Sequence, residues 1–176
     1  MRPLSKTGRF VPARVALLAG PTTYRGDAFL QAADRLGLDV VRVVDTPASL
    51  SSGEHGNWLD LDFAAQDAAI AVLRRLHARE PFAAVVALDD SSTMLAANAA
   101  AELNLPHNDP SAALAARNKW VMREALHQGG VPVPVYRQVV LDADPLPAAL
   151  EIGFPASKVS TEMKLSLFCK SSSRAR

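Results

Sequence analysis

The residues best equipped for chemistry fall in three places: a glycine-bounded turn, a pair of carboxylates and a basic helix. The turn is Gly20-Pro-Thr-Thr-Tyr-Arg-Gly26, which follows an apolar run and precedes a helical pattern. In an α/β fold ligands bind at such strand-to-helix turns, and backbone N–H groups at the helix start can hold an anion. Gly20, Tyr24 and Arg25 are therefore candidates for substrate contact. The spacing fits neither G-x-G-x-x-G nor G-x-x-x-x-G-K-[ST], so the turn carries no nucleotide fingerprint. A tight turn that uses glycine for its backbone angles accounts for the same residues.

The carboxylates are Asp89 and Asp90, followed by Ser91 and Ser92. Adjacent acids after a strand can ligate a metal or act as a general base. They can equally sit as solvated acids at the positive end of a helix capped by Ser91 or Ser92. The basic helix carries Arg117, Lys119 and Arg123, of which the two arginines read as solvated face charges. The four histidines, His55, His77, His107 and His127, have no i, i+4 or H-x-H pairing, and Cys169 has no nearby cysteine or histidine. No zinc arrangement emerges. A G-x-S-x-G nucleophile turn is also lacking, so hydrolase chemistry is unsupported.

Short apolar strands and helices must position these groups. Val15 to Ala19 reads as a buried strand, and Leu38 to Val44 and Phe82 to Leu88 as two more. Between them, Asp27 to Gly37 patterns as a helix with Phe29, Ala32, Ala33 and Leu36 on one face. Ser49 to Trp58 reads as a polar loop, Asp62 to Arg79 as a helix, and Ser91 or Ser92 to about Leu103 as another. Strands apolar on both faces, alternating with helices, predict an open parallel sheet covered on both sides. Beyond a connection through Pro110, Ser111 to Gln128 patterns as one long helix capped by Ser111 and stopped by Gly129-Gly130. Val131-Pro-Val-Pro-Val135 cannot be a central strand. Tyr136 to Leu141 reads as a short strand, Ala148 to Ile152 as a short helix, and Met163 to Leu167 as a weak edge strand.

Of the 176 residues, 49% are hydrophobic and 21% charged, values of an ordinary globular protein. The net charge of +1 makes no case for nucleic acid or an anionic membrane as partner. No run approaches the roughly 18 apolar residues of a bilayer span. No signal-peptide pattern opens the chain, and a single cysteine fits a reducing compartment, so the expected location is cytoplasmic.

The order of motifs from Arg14 to Pro155 closely resembles the opening of an ATP-grasp ligase of the carbamoyl-phosphate-synthase-like and amino-acid-ligase branch. The helix Ala115-Ala-Arg-Asn-Lys-Trp-Val-Met-Arg-Glu-Ala-Leu126 is followed by Gly129-Gly-Val-Pro-Val-Pro134 and then Ile152-Gly-Phe-Pro155. Upstream, Ala101-Glu-Leu-Asn-Leu-Pro-His107 is similar to the family's link out of its pre-ATP-grasp domain. The resemblance implies an N-terminal extension over residues 1–13, a pre-ATP-grasp α/β domain over 14–108, and the start of an ATP-grasp A subdomain over 111–156. It implies ATP and Mg as cofactors, a carboxylate and an amine as substrates, and an acyl phosphate between them. By position, Lys119 matches the family lysine that contacts ATP phosphates, a role suited to a flexible cationic donor.

Past Gly153-Phe-Pro155 the pattern departs. The family continues into an apolar strand ending in Lys-Pro, whereas Lys158 stands one position early, and a one-residue slip turns a strand side chain to the opposite face. The Mg ligands, phosphate-covering loop and adenine hinge of the family would lie further on, so no catalytic or metal residue is assigned here. Residues 157–176 are rich in serine and Lys/Arg, and predict a divergent, disordered tail and a chain cut short. The competing expectation is a non-catalytic α/β module that binds a small ligand at the Gly20–Gly26 and Asp89–Ser92 loops.

Overall fold

The computed structural model describes residues 12–24, 26–140, 143–153, 156–161 and 164–169, the last two spans as backbone. The chain divides into two compact units, Met1–Ala113 and Leu114–Arg176. Most of the expected N-terminal extension lies outside the described residues, as do Phe154-Pro155 and the end from residue 170.

In the first unit the elements run β1 (Arg14–Ala19), α1 (Gly26–Arg35), β2 (Asp39–Asp45), β3 (Glu54–His55), β4 (Trp58–Leu61), α2 (Gln66–Arg79), β5 (Phe82–Ala87) and α3 (Thr93–Glu102). The sheet order is β3-β4-β2-β1-β5, with β1 parallel to β2 and β5, β2 parallel to β4, and β3 antiparallel at the edge. Alternation along β1 sends Ala16 and Leu18 into one core and Val15 and Leu17 into another. The larger core packs Leu73 and Leu76 of α2 and Leu95 and Ala99 of α3 against Leu18, Val41, Val43 and Val85. The smaller one sets Leu30 against Val15, Leu17, Val40 and Val86. This is the open, mostly parallel sheet with helices on both faces that the apolar runs predict.

Three local expectations need correction. Helix α1 buries Ala33 as expected, but it is Leu30 that packs on the sheet, while Phe29 and Leu36 are exposed. The loop expected over Ser49–Trp58 contains β3 and leads into β4, where only Leu59 and Leu61 point inward. A four-residue strand with two buried side chains is too short to show a period. It is held from outside, through pairing with β2 and through Asp60, whose carboxylate accepts from the Ser52 N–H at 3.2 Å, the Ser52 hydroxyl at 2.5 Å and the Trp58 indole at 3.1 Å. Those bonds lower the Asp60 pKa, the Ser52 hydroxyl most. The single helix expected over Ser111–Gln128 is two, α4 (Pro110–Arg117) and α5 (Lys119–Gln128). Asp109, not Ser111, caps α4, accepting from the Ser111 N–H at 2.7 Å. Asn118 is extended and caps α5, its side chain accepting from the N–H groups of Trp120 and Val121 at 3.0 and 3.2 Å.

The second unit continues with β6 (Tyr136–Val140), α6 (Leu146–Ile152), β7 (Ala156–Thr161) and β8 (Lys164–Cys169). Helix α5 ends as Gly129-Gly130 predicts: Gly130 has φ 73°, and the N–H groups of Gly130 and Val131 return to the carbonyls of His127 and Leu126. Strands β6, β8 and β7 form an antiparallel sheet in that order. The segment expected to be a disordered tail thus contributes two strands, and the one expected at an edge is central. Alternation shows β8 as a strand but not its place, and β7 escapes notice because strand pairing, rather than local apolarity, orders it. Exchanging Asn118 for alanine is expected to destabilise the second unit by about 1 kcal/mol, the usual worth of such a cap. Urea unfolding followed by the fluorescence of the neighbouring Trp120 measures it.

Candidate functional site

Strands β1 and β5 lie side by side and in parallel, so the loops that leave them open at the same end of the sheet. The β1–α1 loop begins at Gly20 and the β5–α3 loop at Leu88, with Asp89 next. The two are joined by one side chain. Oδ2 of Asp89 accepts from the Gly20 N–H at 2.7 Å and from the Thr23 hydroxyl. Oδ1 accepts from the Ser91 hydroxyl at 2.6 Å and the Ser92 N–H at 3.2 Å. Partial burial pushes the pKa of this carboxyl up. The hydrogen bonds from Ser91, Thr23, Gly20 and Ser92 outweigh it and hold the group well below the ordinary carboxylate range. A carboxylate so satisfied is a poor proton acceptor. Its arrangement is that of a brace between loops.

Gly20 is needed for close approach rather than for unusual backbone angles. A Cβ there would sit 3.0 Å from the Ser91 hydroxyl and 3.2 Å from Asp89 Oδ2. Ser92, fully buried, occupies the N-cap position of α3, yet its hydroxyl turns back to the Asp89 carbonyl oxygen at 2.9 Å instead of capping the helix. Around this brace opens a cavity of about 620 Å³, whose walls include Gly20, Tyr24, Asp45, Asp89, Asp90 and Ser91. A second cavity of about 330 Å³ shares the Gly20–Tyr24 loop and runs under α1 to Arg42 of β2 and Trp58 of β4.

Four of the sequence candidates, Gly20, Tyr24, Asp89 and Asp90, thus meet at one end of the sheet. Arg25 lies outside the described residues. Lys119 belongs to the second unit, at the first position of α5 directly after the Asn118 cap. Arg123, expected as a solvated face charge, is buried, with its guanidinium donating to the Lys119 carbonyl at 3.3 Å. Nearby, Tyr136 meets Trp120 edge to face at 5.2 Å and donates its hydroxyl to Glu124 at 2.7 Å. Among the described residues, no group of three or more His, Cys, Asp or Glu side chains could hold a metal ion. Likewise no described helix is long and apolar enough to cross a membrane.

Sequence reasoning missed Asp45, Arg42 and Trp58. Arg42 did leave a signal, as the one interior charge in the β-branched run Asp39-Val-Val-Arg-Val-Val-Asp45.

Residues 30–107 match the family model of the ATP-grasp N-terminal domain. An uncharacterized protein, y4rH, of Sinorhizobium fredii is 29% identical over 145 residues, covering 81% of this chain and 30% of that protein. Among solved structures, an L-amino acid ligase from Bacillus licheniformis superposes with a TM-score of 0.69 at 20% identity, over 90% of this chain and 44% of that one. An N5-carboxyaminoimidazole synthase from Aspergillus clavatus, in complex with ADP and 5-aminoimidazole ribonucleotide, superposes at 0.62 with 18% identity, over 89% of this chain and 46% of that one. The chain therefore spans about a third of the curated relative and under half of these structures. The structural likenesses establish the fold.

Proposed function

We propose, for a chain that carries an ATP-grasp N-terminal domain, that it supplies the substrate-facing α/β domain of an ATP-dependent ligase together with the first phosphate contact of its nucleotide site. The observation that carries this reading is the braced cavity at the strand ends, in a domain matched by that family model. The loops at Gly20–Tyr24 and Asp89–Ser91 hold a small substrate, which the ligase reading makes a carboxylate or an amine. Arg25 joins the same loop by sequence. The reaction class is activation of the carboxylate as an acyl phosphate and its capture by the amine. A cytoplasmic location accords with this chemistry and with the single cysteine.

For ATP, the described residues offer one fitting group. Lys119 is a partly exposed cation on a flexible stem at a helix start, suited to a phosphate oxygen. ATP would supply the phosphoryl group, and this chain's contribution is to bind and orient it. For Mg the described residues do not fit, because no cluster of three His, Cys, Asp or Glu side chains exists among them.

Isothermal titration of the chain with ATP tests the reading. Measurable binding is expected, weakened roughly tenfold or more in Lys119→Ala, the usual effect of losing a charged hydrogen bond. Binding that ignores Lys119, or no binding at all, would favour the second reading, a non-catalytic small-ligand module. That alternative draws on the finding that both cavities lie within the first unit.

A further inference from the structure

We infer that Tyr136, on β6, is a positioning residue for Lys119: it fixes the rotation of α5 about its own axis, and so sets where the Lys119 ammonium can meet a phosphate. The inference rests on the reading of Lys119 as a phosphate contact. In an α-helix, residues four apart share a stripe, and the next position falls about 100° round. Trp120 and Glu124 therefore form one stripe of α5, and Lys119 and Arg123 the one beside it. Tyr136 grips the first stripe at both positions. Its ring meets Trp120 edge to face, with centroids 5.2 Å apart and planes at 77°, and its hydroxyl donates to Glu124 Oε1 at 2.7 Å. One contact would leave the helix free to swivel, whereas two contacts a turn apart do not. The bond to Glu124 raises the Tyr136 pKa, so the phenol stays a donor.

The grip has fixed supports on both sides. Strand β6 is paired with β8 along its length, Tyr136 lying opposite Phe168. Helix α5 is closed at its start by the Asn118 side chain, and the buried Arg123 guanidinium ties back to the Lys119 carbonyl at 3.3 Å. Between helix and strand run Pro132 and Pro134, whose locked φ angles stiffen the connection. The lysine stem is itself flexible, so holding its backbone is what narrows the space that the ammonium sweeps.

The test is calorimetric titration of the full chain with ATP across the four combinations of Tyr136→Phe and Lys119→Ala. Tyr136→Phe keeps the ring and drops only the hydroxyl. It is expected to weaken ATP about threefold to tenfold when Lys119 is present, and less than about twofold in the Lys119→Ala background. Glu124→Ala, which removes the acceptor from the other side, should reproduce both results. A merely structural role would lower the affinity alike in both backgrounds. Such an equal loss, or parent affinity in Tyr136→Phe, would overturn the inference and leave Lys119 as the phosphate contact. ATP binding that ignores Lys119→Ala, or is absent from the parent chain, would instead sink the nucleotide reading and this inference with it.

Discussion

Removing the Asp89 side chain, as in Asp89→Ala, is expected to destabilise the first unit by about 2–3 kcal/mol and to loosen both strand-end loops together. One of its oxygens accepts from two groups of the β1–α1 loop and the other from two groups of its own β5–α3 loop, and charged acceptors make the stronger hydrogen bonds. The effect should be less than their sum because the site reaches solvent. Asp89→Asn keeps the shape but turns an amide N–H₂ towards groups that are themselves donors, so it should recover only part of the loss. The effect carries a pH signature. The folded-state pKa is depressed, so as acid is added the unfolded chain, with an ordinary value near 3.9, takes up the proton first. The stabilisation is complete above about pH 5 and declines as the pH falls through 4 and below. Urea unfolding of the parent chain and Asp89→Ala at pH 7 and pH 3 measures it. An equal gap at both values would refute the brace.

Leu18→Ala should have the larger effect, about 2–5 kcal/mol, the range for a leucine cut back in a closed core. Leu18 is wholly inaccessible to solvent, sits on β1 between β2 and β5, and gives its carbonyl to the Leu88 N–H at 2.9 Å. It therefore stands directly beneath both loops of the candidate site. Leu50→Ala, at a leucine 73% exposed, is the control and should change stability by less than about 0.5 kcal/mol. Similar urea midpoints for the two variants would mean that this core does not hold the sheet together.

What the sequence made legible follows the range of the forces involved. Strands β1, β2 and β5 show as apolar runs because burial on both faces selects mostly apolar side chains, Arg42 being the interior exception. The close of α5 shows because two glycines meet a local backbone requirement. Asn118 has the chemistry of a cap, yet it lies inside an unbroken helical period, and the period concealed the cap. Gly20 and Asp89 are each visible as turn residues, but the bond between them spans 69 positions and nothing local marks it. Arg42 and Trp58 are 16 positions apart in the chain and meet only because β2 pairs with β4 in register. The participants in the site could be read singly, whereas their partnerships are a product of the topology.

The strand order β6-β8-β7 sets a rule for synthesis. The middle strand is the last to be made, so β6 and β7 leave the ribosome with no partner to pair with and their edges stay open until Cys169 has emerged. The first unit has its whole sheet once Ala87 has been added. One half of this protein can settle as it is made. The other half must wait for β8.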